Sequence, residues 1–68
     1  MWHSVSAVAD LNKIPEADLV DFAISRQDKY SIYINNGNVL VNTFNVDKLI
    51  EDFKHFMYEQ ELYEQELK

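Results

Sequence analysis

An Asn36-Gly37 pair sits between two runs that alternate apolar and polar residues, and few backbone arrangements accommodate it. Tyr30-Ser31-Ile32-Tyr33-Ile34-Asn35 precedes the pair and Asn38-Val39-Leu40-Val41-Asn42-Thr43 follows it. Asn-Gly favours a two-residue type I′ turn, because both central residues take positive φ and these two side chains tolerate it best. The pattern predicts a β-hairpin. With Asn36 and Gly37 as the loop, Ile34 faces Val39 and Ile32 faces Val41, giving one apolar face. The opposite face carries Ser31, Tyr33, Asn35, Asn38, Leu40 and Asn42, with Tyr33 across from Leu40. That apolar pair on a polar face either packs under the N-terminal segment or forms a secondary contact patch. A two-stranded sheet also leaves edges open to pairing with another chain.

Helices are expected on both sides of the hairpin. Pro15 suits a first helical position, and Glu16 and Asp18 fall in the first turn, where the helix dipole favours negative charge. A helix is predicted from Pro15 to Gln27. Leu19, Val20, Ala23 and Ile24 form its apolar face, Phe22 lies at the margin, and Asp18, Asp21 and Ser25 look outward. Residues 4 to 12 fit either a short helix with Val5, Val8 and Ala9 on one face or an irregular strand. After the hairpin a long helix is predicted from Asn45 as N-cap, with Asp47 in its first turn. Val46, Leu49, Ile50, Phe53, Phe56 and Met57 recur at three- and four-residue steps and should pack on the hairpin's Ile and Val face. Beyond Met57 the unit Tyr58-Glu59-Gln60-Glu61-Leu62 is repeated as Tyr63-Glu64-Gln65-Glu66-Leu67. Five residues turn a helix by roughly 500°, so the two copies do not build one face.

Size narrows the function. At 68 residues the chain is expected to form one small domain, with residues 58–68 an acidic helical extension. A chain this short buries only about 60% of its unfolded surface, which disfavours a deep catalytic cleft beside the core. We expect no enzyme. No cysteine is present to supply a disulfide, a thiolate nucleophile or a Cys-based zinc site. No apolar run approaches the roughly 18 residues that span a bilayer, and Met1-Trp2-His3-Ser4 lacks a signal peptide's basic and apolar regions. The expectation is a soluble cytoplasmic protein.

Catalytic and metal chemistry find little support in the spacing. His3 and His55 are far apart in sequence, and neither sits in a pattern that sets metal ligands on one helical face. His55 has Glu51 and Glu59 one helical turn away on either side, but a solvated histidine is the simpler reading, so no metal and no cofactor is expected. The serines lack a nucleophile-elbow context, and a single glycine leaves no phosphate-cradling loop.

Charge carries the functional expectation. The net charge is −6, which opposes direct binding to nucleic acid or to anionic membranes. Residues 51 to 68 hold six acids against two bases, so most of the field comes from the C-terminal quarter. Glu59, Glu61, Glu64 and Glu66 crowd the last turns of the predicted helix, where the dipole disfavours them. Glu64 has a well-oriented cation at i+4, Lys68, whereas Glu61 has none within three or four residues. Asp52, Glu59 and Glu66 are seven apart, so they form a nearly axial row with roughly 10 Å between members. Such a face either keeps the chain soluble or imitates a run of phosphates toward a cationic nucleic-acid site on another protein.

The hairpin with Asn35-Asn36-Gly37-Asn38 at its turn, the helical run Val46-Asp47-Lys48-Leu49-Ile50-Glu51-Asp52-Phe53 and the Glu- and Tyr-rich end from Tyr58 to Glu66 resemble the small acidic type II-A anti-CRISPR proteins of phages. The likeness spans roughly residues 30 to 66. Proteins of that family are compact α+β domains that cover the DNA-binding groove of an RNA-guided nuclease with acidic side chains. The resemblance implies a phage-type inhibitor that mimics DNA, with Asp52, Glu59, Glu61, Glu64 and Glu66 as contact residues. This chain departs from the family in being shorter, in offering two strands and in its sparser acidic cluster.

The expectation is therefore an α+β fold in which a helix, a β-hairpin and a long C-terminal helix surround one core, with an additional N-terminal helix or strand. The expected partner is a basic, nucleic-acid-binding protein. Asp52, Glu59, Glu61, Glu64 and Glu66 would meet it, and Tyr58 and Tyr63 would supply rigid contact area. The alternative is an assembly module that forms a homodimer or larger homo-oligomer through the hairpin edge, Tyr33, Leu40 and the C-terminal helix.

Overall fold

A computed structural model describes the backbone of residues 1–66 and the side chains as far as Glu61. The elements run β1 (Trp2–Ser4), α1 (Val5–Leu11), α2 (Glu16–Ser25), α3 (Gln27–Tyr30), β2 (Tyr33–Asn35), β3 (Asn38–Asn42) and α4 (Thr43–Glu66). The fold is α+β, an antiparallel sheet in the order β1-β3-β2 packed with helices.

The hairpin forms in the expected register. Tyr33 pairs with Leu40, Ile34 with Val39 and Asn35 with Asn38. Asn36 and Gly37 both take positive φ, 50° and 82°, as a type I′ turn requires. The first strand is shorter than its alternation suggested. Tyr30 ends α3, Ser31 turns through the left-handed region at φ 53°, and the Ile32 amide donates to the Gln27 carbonyl at 3.0 Å. Ile32 is thereby kept out of the ladder, and Val41 pairs instead with His3 on the other side.

Of the two alternatives for residues 4 to 12 the helix forms, as α1, and the strand β1 lies just before it. Ser4 pairs with Leu40 as the last residue of β1, and its Oγ accepts from the Ala7 amide at 3.4 Å to cap α1. Val5, Val8 and Ala9 are buried on one face of that helix. The addition of β1 makes β3 central and leaves two edges of three residues each, too short to offer a long pairing template.

The helix predicted from Pro15 to Gln27 is two helices. Pro15 caps α2, which ends at Ser25, and Arg26 breaks the run before α3 begins. The core face is also rotated from the expected one. Phe22, placed at the margin by spacing alone, is buried, while Ile24 is 37% exposed. Three rings reward that rotation: Phe53 edge-on at 5.4 Å, Phe56 at 5.3 Å and Tyr30 at 6.2 Å between centroids.

The long helix α4 begins two residues before Asn45, because the Asn42 side chain accepts from the Phe44 amide at 3.2 Å. Asn45 has another task, donating to the Tyr30 carbonyl at 2.8 Å and so satisfying the end of α3. Leu49, Ile50 and Phe53 are buried against Val41, Leu19 and the rest of one hydrophobic cluster, with Val46, Phe56 and Met57 packed at its margin. Burying a side chain such as Leu49 or Leu19 is worth about 2–3 kcal/mol. Past Met57 the described side chains leave the core. Tyr58, Glu59, Gln60 and Glu61 are all exposed, and the molecule measures 42 Å along its long axis against 22 and 20 Å across.

Candidate functional site

The acids expected to form one row on α4 lie in two environments. Asp52 is held within the body, its side chain only 18% exposed. It accepts the Tyr30 hydroxyl at 2.6 Å and pairs with Lys29 at 3.3 Å and Lys48 at 3.2 Å. The Tyr30 hydrogen bond, helped by the two lysines and opposed by desolvation, pulls the Asp52 carboxyl down to about 2. Burial, then the hydrogen bond and charge of Asp52, push the Tyr30 phenol up to about 12. This cluster is an internal tie between α3 and α4, with its negative charge already answered.

Glu59 and Glu61 are exposed and, among the described residues, have no ion-pair partner. Tyr58 stands beside them at 60% exposure. The exposed part of the expected row therefore starts at Glu59. Tyr63, Glu64 and Glu66 follow on the same helix, and their side chains lie outside the described residues.

The outer sheet face gathers Tyr33 and Leu40 as expected, and Trp2 joins them. Its ring lies 5.8 Å from that of Tyr33, tilted by 43°. Trp2 and Tyr33 remain about half exposed at 47% and 53%. The residues sharing this face in the ladder, Ser4, Asn35, Asn38 and Asn42, are uncharged. Trp2 escaped the sequence reading because its place is set by pairing with Asn42, forty residues away.

A second feature lies between α2 and α4. A groove of about 350 Å³ is floored by Phe22, Phe53 and Phe56 and edged by Asp18 and Asp21. A neighbouring depression shares Phe22, Arg26 and Phe56 with it and is lined further by Lys29, Asp52, His55 and Glu59. The Arg26 guanidinium sits 4.0 Å over the Phe22 ring and 5.1 Å from that of Phe56, and its Nη1 donates to Ser25 Oγ at 2.7 Å. The sequence carried part of this signal, since Phe22 and Arg26 are four apart and face the same way on a helix. Phe56, thirty residues further on, could not be joined to them by local spacing.

One histidine and one hydroxyl lie within hydrogen-bond reach of each other. His3 Nε2 lies 2.7 Å from Thr43 Oγ1, and that hydroxyl lies 3.0 Å from the Met1 carbonyl. The one Thr43 hydroxyl proton can serve either the Met1 carbonyl, which also accepts the Thr43 amide, or His3 Nε2, so the tautomer of His3 sets which way the contact runs. Among the described residues no three His, Asp or Glu side chains converge as metal ligands, and no helix is long and apolar enough to cross a membrane. No family model, no curated protein and no solved structure matches the chain.

Proposed function

We propose that this chain is a non-enzymatic binding protein, a phage-type inhibitor that engages a basic, nucleic-acid-handling protein through the acidic end of α4. The observation that carries the reading is the course of α4, which continues to Glu66 and, beyond Met57 at the margin of the core, has Tyr58, Glu59 and Glu61 exposed. Exposed turns gain no burial, and acids toward a helix C-terminus weaken it through the dipole. A cationic groove offers compensation for both. Carboxylates spaced along the helix take the place of phosphates, and Tyr58 with Tyr63 contributes contact area that loses little entropy on binding. Such a target works in the cytoplasm, and its encounter with the inhibitor is accelerated by opposite charge.

The test is capture of a partner from a bacterial lysate with and without excess duplex DNA, followed by the Glu59→Gln, Glu61→Gln, Glu64→Gln, Glu66→Gln variant. A basic nucleic-acid-binding protein that DNA displaces is expected, with its affinity for the variant reduced about tenfold or more at physiological salt. Undiminished binding of the variant overturns the reading.

A second reading rests on the tilted Trp2–Tyr33 contact over an uncharged sheet face, which suits a module that self-assembles without desolvating charge. Sedimentation at low and high salt separates the two. A salt-insensitive homodimer, lost on Trp2→Ser with Tyr33→Ser, favours the module.

A further inference from the structure

We infer that the groove between α2 and α4 receives an arginine side chain of the basic partner. This deepens the proposed function, resting on its basic partner while moving one contact from the helix end to the body. The floor is aromatic, and although Phe22 and Phe53 are buried, Phe56 is only partly so, which leaves part of its ring accessible beside Arg26 to a planar cation. Arg26 displays the chemistry within the molecule, its guanidinium lying over Phe22 and within reach of Phe56. It does not answer the carboxylates at the rim. Arg26 is bonded to Ser25, and among the described residues Asp18 and Asp21 have no ion-pair partner. The groove thus pairs aromatic faces already compatible with a guanidinium with two carboxylates that lack one.

Charge complementarity selects the occupant. The groove's own lining holds Asp18 and Asp21 against the single cation Arg26, and Glu59 lines the neighbouring depression that shares Phe22, Arg26 and Phe56. Asp52, which also borders it, is answered by Lys29 and Lys48. An anionic or neutral peptide would leave Asp18 and Asp21 facing a dry contact unpaired, at a cost in affinity. Arginine suits the site better than lysine, because its planar fork stacks on a ring while its edge donates to a carboxylate, and an ammonium does only the second. A partner seated here would also lie along the exposed turns of α4, making the groove and the acidic end one continuous surface.

The experiment titrates isotopically labelled full-length protein with an arginine-only peptide and, separately, a lysine-only peptide of equal length, following backbone amide shifts by NMR. Saturable shifts centred on Phe22, Ser25, Arg26 and Phe56 are expected, with weaker binding of the lysine peptide. Asp18→Asn with Asp21→Asn should weaken the arginine peptide about tenfold. Both residues are exposed, so a cooperative melt, lowered by no more than the loss of Asp18's charge at the start of α2, will show that the fold is intact. Phe56→Leu keeps apolar volume but removes a ring face, and should narrow the preference for arginine over lysine. The inference is overturned by shifts confined to residues 58–68, by a double Asn variant that binds as tightly as the parent, or by the absence of any saturable shift. The first two results leave the acidic-helix reading standing, because the glutamine variant and its captured partner test that reading separately.

Discussion

The two portions of α4 follow different rules. Up to Met57 every third or fourth residue is drawn into the core, and Asp52, the acid nearest the middle, is tied to Tyr30, Lys29 and Lys48. From Tyr58 onward the described side chains are exposed, and neither Glu59 nor Glu61 has an ion-pair partner among the described residues. Two carboxylates seven residues apart on one helix thus have opposite relations to the fold. Asp52 contributes to stability because its charge is answered at home. Glu59 contributes nothing comparable, which leaves its charge available to another molecule.

The largest expected effect breaks the comparison at an aromatic ring. Phe53→Ala removes a buried side chain that meets Phe22 edge-on and should cost about 3–5 kcal/mol, much of the stability of a domain this small. Tyr58→Ala, little more than a turn further along, should change stability by no more than about 0.5 kcal/mol. Urea melts of both variants check the contrast. A large loss at Tyr58 would mean that the core reaches further along the helix than its exposure indicates.

Next comes the tie itself. Tyr30→Phe keeps the buried ring and deletes the hydroxyl that donates to Asp52, leaving a carboxylate with two lysines but without its shortest partner. A loss of about 1.5–3 kcal/mol is expected, the usual range for a hydrogen bond to a charged group. The same tie predicts two pH limits. Asp52 has a folded value near 2 against an ordinary 3.8, so its contribution is complete above pH 3.8 and fades as pH falls toward 2. Tyr30 is raised from 10 to about 12, so its contribution is complete below pH 10 and is lost as pH climbs toward 12. Stability measured against pH should lose its alkaline shoulder in Tyr30→Phe and flatten at the acid end in Asp52→Asn.

These ties also mark where the sequence stops being informative. The hairpin turn was legible because Asn36 and Gly37 determine it between themselves, and the register followed from their position. The apolar steps of α4 were legible for the same reason, since each depends on neighbours three or four residues away. Phe22 was misplaced because its burial is decided by Phe53, Phe56 and Tyr30, which arrive from other elements. Asp52 looked like a member of an acidic row because only Lys48 among its three partners lies one turn away, while Tyr30 and Lys29 lie more than twenty residues back. Strand β1 was not legible, since three residues carry no periodicity and its existence depends on β3.

A smaller effect concerns the exit from α3. Ser31 holds φ at 53° so that the chain can leave Tyr30 in the core and enter β2, a conformation that a residue with a Cβ adopts at a cost. Ser31→Gly should therefore raise stability by about 0.5–1 kcal/mol, provided the relief of left-handed strain outweighs the added freedom of the unfolded chain. Thermal melts check it, and a loss would show that the serine side chain supports the turn in another way.

The smallest expected effect has the opposite sign to that of breaking the tie, and so sharpens the comparison most. Glu59, Glu61, Glu64 and Glu66 approach the C-terminal end of α4, where the dipole's partial negative charge repels them. Replacing all four with glutamine keeps helix propensity nearly constant and removes that repulsion. The variant should be more stable than the parent by about 0.3–1 kcal/mol at low ionic strength, with the gain shrinking as salt is added. Asp52→Asn, a change of the same kind on the same helix, should destabilise. If the glutamine variant also loses stability, its carboxylates are held by the fold as Asp52 is, and the argument that they are kept for a partner fails. If it gains stability while losing a basic partner, the chain gives up folding energy at this end of the helix for binding.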